Sequence, residues 1–339
     1  MADATHPPKT VSNTPFSVLD LAPILEGQVA ADSFNNSLAL AQHVDNLGYT
    51  RYWVAEHHNM PGIASSATSI LISHLAAGTQ NIRVGAGGIM LPNHAPLVIA
   101  EQFGTLESLY PGRIDLGLGR APGSDGKTMR ALRRQTGSNG DDFPERLEEL
   151  QRYFFNESDV TAVPGAGLDI PIWLLGSSGF SAQLAGQLGL PYAFAGQFAP
   201  GYMMQALGIY RSAFTPSTYL EKPHAMVGMN VVIAETDEEA KRLFTSQQQH
   251  VLRLFRNDLG KMQPPVDSMD HLWLPHEKHS VHDFLGASVV GSPETAKQQL
   301  DEFINKTQAD ELIVNTAVYD QTARQKSYEL LARLAELTK

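Results

Sequence analysis

Short apolar runs alternate with longer stretches whose apolar positions recur every three or four residues, and this rhythm continues from residue 16 to the end of the chain. Phe16 to Ala22 reads as a buried strand. Asp32 and Ser33 then offer a helix N-cap, Phe34, Leu38, Ala41 and Leu47 fall near one helical face, and Gly48 closes the helix. The same pair of elements recurs. Strands are predicted over 51–55, 82–89, 113–118, 171–175, 191–194, 225–233 and 311–316. Helices are predicted over 66–78, 95–110, 141–156, 180–188 and 201–214, then from a capping box at Thr236 and Glu239, and finally over 321–337. Strands this uniformly apolar, each followed by a helix, imply a parallel sheet covered by helices. Eight such units favour an α/β fold of the closed (β/α)8 TIM barrel type over a doubly wound sheet.

Two segments break the rhythm. Residues 1–15 form a polar, Pro-bearing leader expected to be flexible. Residues 260–291, rich in Pro, His and Met, read as an insertion before strand eight, with an extra helix after Ser292-Pro293. No Gly/Ser linker or charge run marks a boundary, so 16–339 reads as a single domain.

Composition narrows the function classes. The chain has 339 residues, 42% of them hydrophobic, enough for a full core. Its formal net charge of −11 repels phosphate polymers and anionic membranes, which argues against nucleic-acid or membrane partners. The absence of cysteine excludes disulfides, thiolate catalysis and Cys-type metal sites. Residues 1–10 lack the apolar core of a signal peptide, and no segment approaches the roughly 20 apolar residues of a membrane span. A cytoplasmic protein is the expectation.

In such barrels the chemistry sits on loops at the carboxyl ends of the strands, where the unusual residues of this chain fall. Strand two ends in Glu56-His57-His58, strand three in Gly87 to His94, strand four in Gly117-Leu118-Gly119-Arg120, strand five in Gly176-Ser177-Ser178-Gly179 and strand six in Ala195 to Phe198. Each has an ordinary reading as well as a functional one. Paired histidines are often only satisfied polar residues, and as neighbours they point in opposite directions. Gly87-Gly88 is consistent with a bulge or with a strand whose backbone a flat ring must approach. Arg120, just past a buried strand, suits bidentate phosphate capture. Ser177-Ser178-Gly179 can cap a helix or present N–H groups and hydroxyls to a phosphate. Strands four and five are neighbours in a barrel, so Arg120 and this loop can converge on one anion.

Other motifs fail. Gly117-x-Gly119-x-x-x-Gly123 misplaces the third glycine of a dinucleotide fingerprint, and Pro122 disturbs the helix start. Gly176-x-Ser178-x-Phe180 lacks the last glycine of a nucleophile elbow. His271, His276, His279 and His282 read as surface histidines, and no metal site is expected.

The segments Val54-Ala-Glu-His-His58, Gly85-Ala-Gly-Gly-Ile-Met-Leu-Pro-Asn-His-Ala-Pro96, Glu101 to Arg120 and Gly176-Ser-Ser-Gly-Phe-Ser-Ala182 resemble the bacterial luciferase-like, flavin-dependent monooxygenase family. The similarity runs from about residue 16 to 335 and is most specific over 50–125. It implies the (β/α)8 barrel reached independently above. It further implies that His57 is the active-site histidine near the reactive edge of the flavin. Arg120 and Ser177 would be flavin-phosphate ligands, with Ser178 and Gly179 in the same loop. Gly87-Gly88 matches a position that carries a non-proline cis peptide beneath the ring in relatives. Gly119 stands where luciferase has a cysteine, and Phe180 where it has a second phosphate-binding hydroxyl, which argues against light emission.

The resemblance implies a two-component monooxygenase. A separate flavin reductase would supply reduced FMN, since the chain has no nicotinamide fingerprint, and a homodimer is expected. His57, with a reference pKa near 6.5, would exchange protons near neutral pH. The 260–285 segment with Trp273 would form a mobile lid. Met90, Phe198, Tyr202 and Met203 would line a pocket for a small apolar substrate. The alternatives are a deazaflavin-dependent dehydrogenase or reductase of the same fold and a non-catalytic flavin-binding protein.

Overall fold

The computed structural model of the chain describes residues 9–121, 125–132 and 140–337. Its strands are β1 (Phe16–Asp20), β2 (Arg51–Val54), β3 (Arg83–Met90), β4 (Ile114–Gly119), β5 (Ile172–Gly176), β6 (Tyr192–Phe194), β7 (Ala225–Ile233), β8 (Ser288–Gly291) and β9 (Glu311–Asn315). Its helices are α1 (Ala30–Asn46), α2 (Thr68–Ala77), α3 (Pro96–Leu109), α4 (Gly126–Ala131), α5 (Phe143–Phe154), α6 (Gly179–Gln187), α7 (Met203–Ala213), α8 (Asp237–Phe255), α9 (Pro275–Phe284), α10 (Pro293–Thr307) and α11 (Gln321–Leu334). Strands β1 to β7 pair in parallel with their sequence neighbours. β7 then pairs with β9 and β9 with β1, closing an eight-stranded ring. The expected TIM barrel is the observed fold.

Three local expectations need correction. The 260–291 insertion ends in a strand, β8, which lies outside the ring. β7 is long enough to serve two partners: Met226–Asn230 pair with β9, and Asn230–Ile233 pair with β8. Helix α1 begins two residues before Asp32, with Val29 at its N-cap. The Asp32 carboxylate reaches back from the first turn to accept the Val29 N–H at 2.9 Å. The leader is docked from residue 9 onward. Lys9 Nζ donates to the carbonyls of Gln308 and Ala309, Val11 is fully buried, and the Val11 N–H meets Asp301 Oδ1 at 2.8 Å. The remainder of the leader lies outside the described residues.

Alternate residues of each ring strand point inward and fill the barrel in layers. At the amino end, Arg51 bridges Asp115 and Glu311 at 2.9 Å each, and Arg83 joins Asp115. Above lies an apolar layer of Leu19, Trp53, Trp173, Ala193, Met226 and Ile313. Trp53 and Trp173 meet edge to face in this layer. The next inward positions are mostly small, Ala55, Gly87, Gly117 and Gly228, before the layer closes with Asn230 and Asn315. The main core lies between the ring and its helices. A satellite core joins α8, α9, β8 and the start of α11. A buried ion pair staples the chain ends: Arg324 Nη2 and Asp20 Oδ1 lie 2.9 Å apart, with Ser37 and Tyr52 donating to Asp20 Oδ2. Among the described residues, no helix is long and apolar enough to cross a membrane.

Candidate active site

The five predicted rim loops all leave the carboxyl ends of β2 to β6, so the fold brings them to one mouth. At the end of β2, Glu56 is buried and His57 and His58 are half-buried. His57 and His58 do not act as a pair. His58 Nε2 lies 2.8 Å from Glu56 Oε1, whereas His57 is fixed through its backbone N–H to Ser65 O and its buried Nδ1 has no hydrogen-bond partner among the described residues. Burial pushes the His57 pKa down to about 4. The Glu56 charge opposes the shift, while His58 and His250 add to it. The imidazole is therefore neutral at pH 7, and the expectation that it titrates near neutrality is corrected.

At the end of β3 the Gly87–Gly88 peptide is cis, as the resemblance implied. The space a Cβ would need is taken by the protein itself. At Gly87 it would lie 3.1 Å from Leu19 Cδ1 and from Trp53, and at Gly88 2.7 Å from the Gly117 carbonyl oxygen. Internal packing alone thus explains both glycines. The Met90 side chain lies over Gly119, where a Cβ would come within 2.9 Å of its sulfur.

The β4 and β5 loops converge as their pairing requires. Gly119 is level with Leu175, and the Arg120 guanidinium carbon lies 4.3 Å from the centre of the Phe180 ring. Arg120 makes no ion pair among the described residues. Ser178 occupies the N-cap of α6 in extended geometry, yet its hydroxyl does not cap the helix. Among the described residues no side chain caps the first N–H groups of α6, which follow Ser177 and Ser178 in the chain and start beside Arg120 through Phe180. This donor set fits a phosphate. Tyr202, expected only as pocket lining, also overlooks the helix start: a Cβ at Gly179 would lie 3.0 Å from its hydroxyl.

The opposite wall is an amide cluster. Asn230 Nδ2 donates to Gln197 O at 2.8 Å, and Asn230 Oδ1 accepts from Gln247 Nε2 at 2.7 Å and Asn315 Nδ2 at 3.0 Å. Gln247 belongs to α8, which also carries His250 toward His57. The insertion that follows α8 is laced into the rim rather than hung over it. Met262 exchanges hydrogen bonds with Ile24 and Glu26, and Ile24 bonds Gly62. Trp273 lies away from the mouth. It packs edge to face on His282, beside an open cavity of about 630 Å³ that Lys278 and Ser288 also line. The start of the segment is thus tied to the loop after β1, and Trp273 stands on the outer side between α8 and α9. Met203 is core, whereas Phe198 is exposed and stacks on Phe284. His271, His276, His279 and His282 are exposed, and no metal-binding cluster occurs among the described residues.

Several residues of this mouth escaped sequence reasoning. Asn93 and His94 both bond Glu56, and only their place after strand three hinted at it. His250 and Gln247 lie mid-helix with no local signal.

Comparison with known proteins gives one answer. A family model described as luciferase-like monooxygenase matches residues 14–311. The luciferase-like monooxygenase of Escherichia coli K12 is 53% identical over 324 residues, covering 95% of this chain and 97% of the relative. The N-acetyl-S-alkylcysteine monooxygenase of Bacillus subtilis is 31% identical, with coverage of 94% and 97%. Among solved structures, apo-MsnO8 superposes with a TM-score of 0.90 at 38% identity, covering 96% and 99%. The oxygenating constituent of the Pseudomonas putida 3,6-diketocamphane monooxygenase, in complex with FMN, superposes with a TM-score of 0.75 at 19% identity, covering 96% and 99%.

Proposed function

Because the chain belongs to the luciferase-like monooxygenase family and is an oxidoreductase, we propose that it is the oxygenating component of a two-component FMN monooxygenase. In this reading a separate reductase supplies reduced FMN, and dioxygen oxidises a small organic substrate. The observation that carries the cofactor is the convergence of Arg120 with the uncapped start of α6. The FMN held by the diketocamphane oxygenating constituent supports it. The relative named for N-acetyl-S-alkylcysteines supports a small organic substrate.

Bound reduced FMN would supply the two electrons with which one oxygen atom of dioxygen enters the substrate and the other leaves as water. The residues of the chain would do the rest. Arg120, the α6 N–H groups and the Ser177 and Ser178 hydroxyls, with Gly179 allowing close approach, would hold the phosphate. The Gly87–Gly88 backbone, whose lack of Cβ atoms the barrel's own packing requires, would pass beside the ring. Neutral His57 would orient groups by hydrogen bonding rather than supply a proton. Helix α8 and the laced 260–263 segment would exclude water from the mouth. A homodimer fits the exposure of Ile70 on α2 and Leu109 on α3.

The test is turnover of a panel of small organic substrates with reduced FMN, a flavin reductase and isotopically labelled dioxygen. The reading expects one labelled oxygen in the product. Unlabelled product, or turnover with a reduced deazaflavin only, overturns it.

A further inference from the structure

Glu56 stands where the loops leaving β2 and β3 meet, and it is 1% exposed. Four donors fill its carboxylate. Oε2 accepts the Met90 N–H at 2.8 Å, and Oε1 accepts Asn93 Nδ2 at 3.0 Å and His58 Nε2 at 2.8 Å. His94 Nε2 lies 3.0 Å from both oxygens. Burial works against the charge, but the bonds from His94, Asn93 and Met90 outweigh it and hold the carboxyl below its usual range. An ionised carboxylate only accepts, so each imidazole nitrogen touching it must carry a proton. In the neutral ring that leaves Nδ1 bare. Neither Nδ1 has a partner among the described residues, and both side chains stay partly exposed at the mouth.

We infer that Glu56 is a positioning residue of the site: it fixes a proton on Nε2 of His58 and of His94, so that each ring in its neutral form offers Nδ1 as a hydrogen-bond acceptor at the mouth. This edge of the site then receives N–H or O–H groups and repels acceptors. The Glu56–Met90 bond also carries the order across the mouth, because the Met90 side chain rests on Gly119 beside Arg120. The role in turnover rests on the function proposed above, whereas the tautomers can be read with no flavin present.

The test uses the full chain labelled with ¹⁵N-histidine, without flavin, at a pH two units above the ordinary imidazole pKa of about 6.5. Long-range proton–nitrogen spectra report the tautomer of each ring, and His58→Gln and His94→Gln identify the two sets of signals. Both rings are expected as single Nε2–H forms. In Glu56→Gln the amide oxygen should stay with the Met90 N–H, turning the amide nitrogen to His58. That ring should then switch to Nδ1–H. An Nδ1–H or averaged form of either ring in the wild-type protein overturns the inference, even if the variant fails to fold. So does a folded Glu56→Gln protein with both rings unchanged. Failure to bind FMN in a parallel titration would count against the proposed function and leave the tautomer result standing.

Discussion

The centre of the Phe180 ring lies 4.3 Å from the guanidinium carbon of Arg120, so a side chain at the start of α6 holds the cation that follows β4. A ring face fixes the guanidinium without consuming its N–H donors as a carboxylate would. Phe180→Ala is expected to weaken flavin binding by roughly two- to fivefold, the scale of an exposed cation–π contact. Phe180→Tyr should retain it. Titration of both variants with FMN checks this, and equal affinity for Ala and wild type would contradict it.

Gly88 is constrained by its own barrel. An alanine Cβ there would meet the Gly117 carbonyl, a backbone atom that cannot move without the strand. Gly88→Ala is expected to destabilise the flavin-free protein by about 1–3 kcal/mol, the range for overpacking. Chemical denaturation without cofactor measures it. A stability loss seen only with flavin bound would move the constraint to the ligand.

His57 links pH to stability with a definite sign. Its pKa falls from 6.5 to about 4 on folding, so the unfolded chain binds the proton first as pH drops. The stabilisation of the neutral ring is complete above pH 6.5 and is lost as pH falls toward 4. His57→Asn should therefore lose less stability than the wild type across that window. Urea midpoints at a series of pH values test this, and parallel profiles would show that His57 does not titrate as described.

Arg324 and Asp20 form a pair sealed from water, at 2% and 0% side-chain exposure. Arg324→Met leaves Asp20 charged and buried, and is expected to cost about 3–5 kcal/mol. Adding Asp20→Asn should recover part of that loss. A double variant no more stable than Arg324→Met would place the cost in packing instead of charge.

The ring was legible because its strands announce themselves locally: Ile114 to Gly119 and Ala225 to Ile233 are buried at every position. β8 was not, because four residues between Ala287 and Ser292 carry too little pattern to stand apart from an insertion. At the mouth, Arg120 and Ser178 were visible as an Arg after a strand and a Ser before a helix. Their convergence on an anion followed from the pairing of neighbouring strands, whereas the flavin that would carry that anion came from family resemblance. The Glu56 hub was invisible because it assembles Met90, Asn93 and His94 from the end of β3 and the loop that follows it. The pKa of His57 was misjudged for the same reason, since desolvation belongs to the folded surroundings and not to the Glu-His-His motif.

The central claim is a flavin phosphate held between Arg120 and the start of α6. The measurement that tests it most directly is an anaerobic titration of wild type and Arg120→Ala with reduced FMN, oxidised FMN and a reduced deazaflavin. Reduced FMN is expected to bind preferentially, and Arg120→Ala to weaken it roughly ten- to hundredfold, as loss of a charge-assisted bond of about 1.5–3 kcal/mol requires. Equal affinity of the two proteins for reduced FMN, or binding of the deazaflavin alone, would contradict the account.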